Sequence, residues 1–125
     1  MPREAINAPD GPPAVGPYSH AAKGGGLLFL SGQIPLRADG TMVTGDVRDQ
    51  ARQVMDNLEK VLRASNASWD DVLKCTIFLT SMDHFAAVNE VYGERFPTNP
   101  PARATFAVAG LPRGADVEIE AIAAI

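Results

Sequence analysis

The chain has 125 residues, of which 46% are hydrophobic and 21% are charged, and its formal net charge is −4. This length fits one domain, and the composition is typical of a globular protein. The 11 Lys and Arg residues form no basic run, so we expect no nucleic-acid partner. The single cysteine, Cys75, excludes an internal disulfide and a cysteine-rich metal site, and it favours a reducing compartment.

The opening of the chain has no secretion-signal pattern. Residues 1–15 are rich in Pro, Gly and charge, and residues 7–14 are expected to form a loop. No apolar run approaches the ~20 residues that a bilayer-spanning helix needs. We therefore expect a cytoplasmic protein with no membrane partner.

The first predicted elements are two strands joined as a hairpin. Strand patterns cover residues 19–23 and 27–33, and Pro35 ends the second strand. The intervening Gly24-Gly25-Gly26 predicts a tight turn, because glycine tolerates positive φ without a steric penalty.

The clearest predicted element is a helix over residues 46–64. Its apolar side chains recur at helical spacing and form one stripe. Asp46 is a good N-cap, and Asn66 is a plausible stop at the other end. Residues 68–71, Ser-Trp-Asp-Asp, have the pattern of a capping box that opens a short turn.

Residues 73–80 alternate as a strand does. One face would carry Leu73, Cys75, Ile77 and Leu79. The other face would carry Thr76 and Phe78 among others. A second helix is predicted over about residues 82–95, with Phe85, Val88 and Tyr92 on one side.

Two further strands are predicted at residues 103–109 and 117–124. The Gly-Leu-Pro-Arg-Gly segment between them can reverse the chain. The order β-β-α-β-α-β-β predicts a single α+β domain over residues 1–125, with both helices on one face of the sheet. Residues 119–125 are too apolar to be left in water, so we expect the other face to be buried in a homo-oligomer.

Arg103 is the first candidate for chemistry. The period of two places Arg103 and Thr105 on one face of their strand and Phe106 and Val108 on the other, toward the core. A guanidinium beside a hydroxyl, on a face lined by alanines, can pair bidentately with a carboxylate. An exposed arginine on a sheet edge is the alternative.

Glu118 and Glu120 share one face of an otherwise apolar strand, so they need a partner or water. Arg103 would pair with Glu118 if the two strands form a hairpin. A second interpretation is that one of the acids lies in a pocket with a raised pKa and transfers protons. A structural ion pair or a solvated edge is the alternative.

The segment 15–20 contains two residues of interest. A Gly-Pro turn presents Tyr18, whose ring or hydroxyl can contact a ligand or pack in the core. His20 and His84 lie on different elements without further ligands at suitable spacing, so no metal site is expected. At the end of the second strand, Gly32 would allow a ligand to approach the backbone closely.

Together these segments resemble the Rid (YjgF-like) family of imine deaminases. The matching stretches span nearly the whole chain in the family's order: Val15-Gly-Pro-Tyr-Ser-His-Ala21, Ser31-Gly-Gln-Ile-Pro-Leu36, Val72-Leu-Lys-Cys-Thr-Ile-Phe-Leu79, Asn89-Glu-Val-Tyr92, Pro101-Ala-Arg-Ala-Thr105 and Val117-Glu-Ile-Glu-Ala-Ile122.

The resemblance implies a chorismate-mutase-like fold with a mixed sheet, and a homotrimer with a central barrel and a pocket at each subunit interface. It implies hydrolysis of 2-imino or enamine acids, released by pyridoxal-phosphate enzymes, to 2-keto acids and ammonia, with no metal and no cofactor. By position, Arg103 would hold the substrate carboxylate. The other matching pocket residues are Tyr18, Ser31, Gly32, Asn89 and Glu118.

Two positions depart from the family's common pattern, which often has Gln at His20 and Cys at Thr105. Thr105 keeps a hydroxyl, and with Glu118 it would orient the attacking water. Two other functions stay open. One is that of a pathway-specific relative such as an aminomuconate deaminase, and the other is that of a non-catalytic small-molecule-binding or regulatory trimer.

Overall fold

In the computed structural model, which describes residues 2–125, six strands form one mixed sheet and two α-helices pack on one of its faces. In chain order the elements are β1 (Glu4–Ile6), β2 (Ala21–Gly24), β3 (Leu27–Gln33), α1 (Val47–Ala64), β4 (Val72–Leu79), α2 (Phe85–Gly93), β5 (Ala102–Ala107) and β6 (Val117–Ala124). The strand order across the sheet is β1-β2-β3-β6-β4-β5. Only the β4–β5 pair is parallel among these strands.

Local sequence signals account for most element ends. Gly25 and Gly26 join β2 to β3 with φ values of 61° and 77°, as predicted for a tight turn. The carboxylate of Asp46 accepts a hydrogen bond from the backbone N–H of Arg48 and caps α1. Asn66 adopts a φ of 56° just beyond the helix, and the capping box at residues 68–71 is present. These predictions are confirmed.

The core lies between the helices and one face of the sheet. Side chains from α1, α2 and alternate positions of β3, β4 and β6 are fully buried there, among them Leu28, Leu58, Ile77, Val88 and Ile119. Asn57 of α1 is also buried, and its Nδ2 donates to the carbonyls of Ile34 and Leu36. This amide fixes the chain that follows β3. No helix within residues 2–125 is long and apolar enough to cross a bilayer.

The opposite face, called the open face here, is uncovered in the single chain. Phe29 and Phe106 are 48% and 53% exposed there. Phe78 is stacked against Phe106 at 6.4 Å between ring centroids, and Ile122 pairs with Phe29 across the strands. The prediction that Thr76 and Phe78 lie away from the helices is confirmed.

Several element boundaries differ from prediction. A short strand, β1, pairs with β2 where no strand was expected. The predicted second helix divides into a 3-10 turn at Met82–His84 and the shorter α2. Leu73 was expected in the core but is 50% exposed, because an irregularity between Val72 and Lys74 shifts the register and buries Val72 instead.

The predicted hairpin of the last two strands is wrong. β4 lies between β5 and β6 and pairs with both, because α2 returns the chain so that β5 runs parallel to β4. Phe106 was also expected in the core, yet it lies on the open face of β5. β5 is an edge strand of the sheet, and no element within residues 2–125 covers its open face.

Candidate functional site

Arg103 lies on the helix-covered side of β5 and is held by α2. Its Nη1 donates to Oδ1 of Asn89 at 2.6 Å. Its guanidinium carbon lies 5.6 Å from the ring centroid of Phe85 and 5.1 Å from that of Tyr92. These three α2 residues follow the i, i+4, i+7 spacing of one helix face. No carboxylate of residues 2–125 forms a salt bridge with Arg103.

A groove of about 430 Å³ opens beside this guanidinium. We call it the arginine groove, and it is lined by Asn89, Tyr92, Gly93, Phe96, Pro100, Pro101 and Arg103. Its walls are mostly aromatic rings and prolines, and Arg103 brings the positive charge. An organic acid fits such a lining, because the guanidinium binds the carboxylate and the rings contact the carbon chain.

Two hydroxyls near Arg103 are buried without a hydrogen-bond partner among residues 2–125, those of Tyr92 and Thr105. Thr105 lines a small space behind the guanidinium, together with Phe85 and Asn89. Burial is the main reason why the pKa of the Tyr92 hydroxyl is raised far above its usual value, and it also raises that of the Cys75 thiol.

Glu118 occupies a different place, on the open face of β6. The pairing of β3 with β6 is irregular between Leu30 and Gln33, and Glu118 packs directly on Gly32 within that interval. A Cβ at Gly32 would lie 3.0 Å from Cδ and 3.2 Å from Cγ of Glu118, and nearer still to its Oε2. Position 32 therefore requires glycine while the carboxylate stays where it is.

The carboxyl of Glu118 has a pKa above its usual value. Partial burial is the main cause, and the charge of Glu120, two residues along the same face, adds to it. Both effects disfavour the ionised form. A carboxyl of this kind can take up and release a proton closer to neutral pH than an exposed one.

Glu118 lines a second groove of about 340 Å³. We call it the glutamate groove, and it is lined by Val15, Tyr18, Ser31, Gly32, Ile34, Pro112 and Glu118. The Ser31 hydroxyl donates to the Ser19 carbonyl at 2.6 Å, so only its lone pairs are free for a ligand. Tyr18 is 46% exposed, and its ring is available for contact.

His20 lies behind this groove and has a structural role. The backbone N–H of Ala8 donates to its Nδ1 at 2.9 Å, and the backbone N–H of His20 donates to Oδ1 of Asn7. His20 is buried and ties the N-terminal segment to the sheet. His84 lies in the turn before α2. No group of three or more potential metal ligands occurs within residues 2–125.

The structure therefore gathers the predicted site residues into two groups. Arg103, Thr105 and Asn89 belong to the helix-covered side of β5, whereas Tyr18, Ser31, Gly32 and Glu118 line the groove on the open face. The predicted pairing of Arg103 with Glu118 is wrong, because β4 separates their strands and the two side chains lie on opposite faces.

The sequence interpretation missed the contacts of Phe85 and Tyr92 with Arg103. It placed both rings on one side of the helix as apolar residues. Phe85, Asn89 and Tyr92 share one face of the helix, with the polar residue between the two aromatic ones. This pattern was a usable signal, because a polar side chain between two rings on a buried face indicates a polar contact there. The contact with Arg103 needed the parallel placement of β5, which the predicted hairpin excluded.

Comparison with known proteins identifies the family. Residues 8–125 match the sequence profile of a family described as Endoribonuclease L-PSP. A Dermatophagoides farinae protein named 2-iminobutanoate/2-iminopropanoate deaminase is 43% identical over 125 residues, which cover 99% of this chain and 98% of that protein. The chain belongs to the Rid (YjgF-like) family.

Other Rid-family relatives carry different names. Protein DfrA of Myxococcus xanthus is 55% identical over 126 residues, covering 98% of this chain and 96% of DfrA. The crystal structure named YEO7_yeast superposes with a TM-score of 0.95 at 48% identity, covering 98% of each chain. The Rid fold of the present chain is thus shown, and the predicted α+β architecture is confirmed.

Proposed function

We propose that this Rid-family protein hydrolyses reactive 2-imino and enamine acids to 2-keto acids and ammonia. The observation that carries the proposal is Arg103, a guanidinium held by α2 at the mouth of a groove with no acidic partner in residues 2–125. Such a group is ready to bind a carboxylate. The name of the Dermatophagoides farinae relative, 2-iminobutanoate/2-iminopropanoate deaminase, supports an imino acid as the source of that carboxylate.

We propose further that the working form is a homotrimer, with the open faces lining a central barrel and a pocket at each subunit interface. Two observations support it. The open face carries the exposed apolar rings of Phe29 and Phe106, which favour burial between chains. The second is that neither groove of one chain contains both the cation and the acid. Joining the arginine groove of one subunit to the glutamate groove of the next would complete the site.

The first step of the proposed mechanism is binding. The substrate carboxylate pairs with Arg103, and the C=N carbon then faces the neighbouring subunit's Gly32 and Glu118. The lone pairs of the Ser31 hydroxyl accept from the imine N–H, since its own proton is engaged with Ser19. Tyr18 closes the groove over the substrate.

The second step is attack by water. Water attacks the carbon of the protonated imine, Thr105 helps to orient that water, and Glu118 takes one proton from it as the C–O bond forms. Glu118 then gives this proton to the carbinolamine nitrogen and takes the hydroxyl proton as the C–N bond breaks and the C=O bond forms. The departing ammonia finally takes the remaining proton from Glu118. The reaction consumes one imine and one water and yields one keto acid and one ammonia. Orientation supplies the main acceleration, and we propose that no metal or cofactor takes part.

The proposal is tested by adding the purified protein to a threonine dehydratase reaction and following imine lifetime by semicarbazide trapping. We expect the wild-type chain to shorten the lifetime and speed the release of 2-ketobutyrate. Arg103→Ala should abolish this effect while light scattering still reports a trimer. Wild-type-like shortening by Arg103→Ala would remove the role proposed for the guanidinium.

Two alternatives are separated by the same assay. A pathway-specific deaminase would act on one imine and not on those derived from alanine and 2-aminobutyrate. A regulatory trimer would bind 2-ketobutyrate without accelerating hydrolysis. The lone, buried Cys75 supports a reducing location, for which we propose the cytoplasm.

A further inference from the structure

We propose that Phe85 and Tyr92 are positioning residues, which hold the Arg103 guanidinium ready for a planar carboxylate. The inference rests on the proposed function, because it assigns new residues to the carboxylate site. Neither ring is expected to touch the substrate's reacting atoms. Phe85 does not line the arginine groove, so its effect would pass through Arg103 alone, whereas Tyr92 holds Arg103 and also lines that groove.

The geometry of the guanidinium carries the proposal. The two rings lie 5.6 Å and 5.1 Å from its central carbon, inside the roughly 6 Å range of an effective cation–π contact. Asn89 binds one end through Nη1. Two rings and one amide thus restrict the conformation of the Arg103 side chain. Its remaining N–H groups stay available for a carboxylate.

The charge of Arg103 explains why aromatic rings, and not a carboxylate, hold its side chain in place. A carboxylate neighbour would also fix Arg103, but it would occupy the donors and neutralise the charge that the ligand needs. Aromatic faces stabilise the cation without competing for its N–H groups. An arginine ordered before binding loses less side-chain freedom when the ligand arrives, so affinity rises.

The three contact residues share one face of α2. Phe85, Asn89 and Tyr92 are spaced i, i+4 and i+7, and Tyr92 is further supported by Phe96, with 4.9 Å between their ring centroids. The helix therefore presents the two rings and the amide as one unit. The face of the Tyr92 ring makes the contact with Arg103, so a Tyr92→Phe variant separates the role of the ring from that of the hydroxyl.

The experiment pairs ring-removing with ring-keeping variants of the full-length protein. Phe85→Leu and Tyr92→Leu remove a ring, whereas Phe85→Tyr and Tyr92→Phe keep it. Titration calorimetry measures binding of 2-ketobutyrate, and steady-state assays separate KM from kcat. The Arg103 Nε–Hε resonance in NMR spectra reports directly on the rings, since their ring currents shift it.

We expect each ring-removing variant to bind 2-ketobutyrate about fivefold more weakly. KM should rise by a similar factor with little change in kcat, and the Arg103 resonance should move toward the position of a free arginine. The ring-keeping variants should retain wild-type affinity. Phe85 is only partly buried, so Phe85→Leu remains informative if Tyr92→Leu fails to fold.

Equal affinity of folded Phe85→Leu and Phe85→Tyr would overturn the inference and leave imine hydrolysis untouched. Conversely, wild-type protein that binds 2-ketobutyrate but does not hydrolyse imines would end the deaminase proposal, while the ring-dependent loss of binding would still support the positioning role.

Discussion

The Arg103 guanidinium and the Glu118 carboxylate project from opposite faces of the sheet, although their strands flank the same strand, β4. Within one chain the sheet itself keeps them apart. A reaction that needs both groups must therefore take them from different subunits. The two grooves have the complementary chemistry for that arrangement, one cationic and one acidic.

Mixing two inactive variants tests this arrangement. Arg103→Ala and Glu118→Gln should each lack activity as homotrimers. After subunits are mixed at equal ratio and allowed to exchange, about a quarter of the sites should regain both groups, because every mixed trimer then contains one complete interface. The assay is imine hydrolysis before and after exchange. Sites built within one chain would give no recovery at any ratio.

Gly32→Ala should impair catalysis more than folding. The new Cβ would displace the Glu118 carboxylate, and a misplaced catalytic group can cost about 100-fold in rate. The carboxylate can swing away, so the loss in the free energy of unfolding should be no more than about 1 kcal/mol. The matched control is Gly24→Ala, where a Cβ meets no atom within 4 Å. Equal kinetics of the two variants would contradict the role of the close contact.

The pH profile of kcat/KM should show an acid limb set by Glu118. A base must be ionised, and the pKa of this carboxyl is raised above 4.5, so activity should fall as pH drops through that higher value. Glu120→Gln removes the repelling charge and should move the limb to lower pH. The shift is measured after subtraction of uncatalysed hydrolysis. A limb that stays in place would show that another group sets it.

Glu118→Gln should also affect stability, in a pH-dependent way. A carboxyl whose pKa is higher in the folded state favours folding at low pH, and that contribution is lost as pH rises through the folded-state pKa. Above the folded-state pKa the ionised Glu118 is therefore unfavourable relative to a neutral side chain, and Glu118→Gln should raise Tm there. Below the unfolded-state pKa of about 4.5, the difference in Tm between Glu118→Gln and the wild-type chain should disappear. Thermal melts at several pH values provide the measurement.

Thr105→Val should have opposite effects on stability and on rate. The buried hydroxyl has no partner within residues 2–125, so replacing it with a methyl group should raise the free energy of unfolding by about 1 kcal/mol. If Thr105 orients the water, kcat should fall by about tenfold, since Glu118 alone remains. Thr105→Ser, which keeps the hydroxyl, is the control. An unchanged kcat in Thr105→Val would remove this residue from the mechanism.

Local patterns were sufficient for the elements whose signals are contained in a few residues. The Gly25-Gly26 turn and the Asp46 cap depend on backbone geometry that a short segment dictates. The stripe of α1 followed from helical periodicity. Strand alternation and turn chemistry also indicated several candidate residues, among them Arg103, Glu118 and Tyr18. The family resemblance joined these into one predicted site and added Asn89.

Long-range features were not predictable in the same way. The position of β4 between β5 and β6 depends on competition among strand pairings, and the hairpin interpretation of residues 103–124 was equally consistent with the local pattern. That error misplaced Phe106 and paired Arg103 with Glu118. The exposure of Leu73 depended on an irregularity in the pairing of β4 with β6, which alternation alone does not reveal.

The edge position of β5 has a consequence for the newly made chain. In a single chain, one side of this six-residue strand offers unsatisfied N–H and C=O groups to any extended peptide nearby. Pro100 and Pro101, immediately before the strand, cannot donate to such a ladder and limit how far it can grow. If the proposed trimer covers this edge, solubility at high expression should depend on the rate of assembly, and variants that assemble slowly should aggregate more or require chaperones.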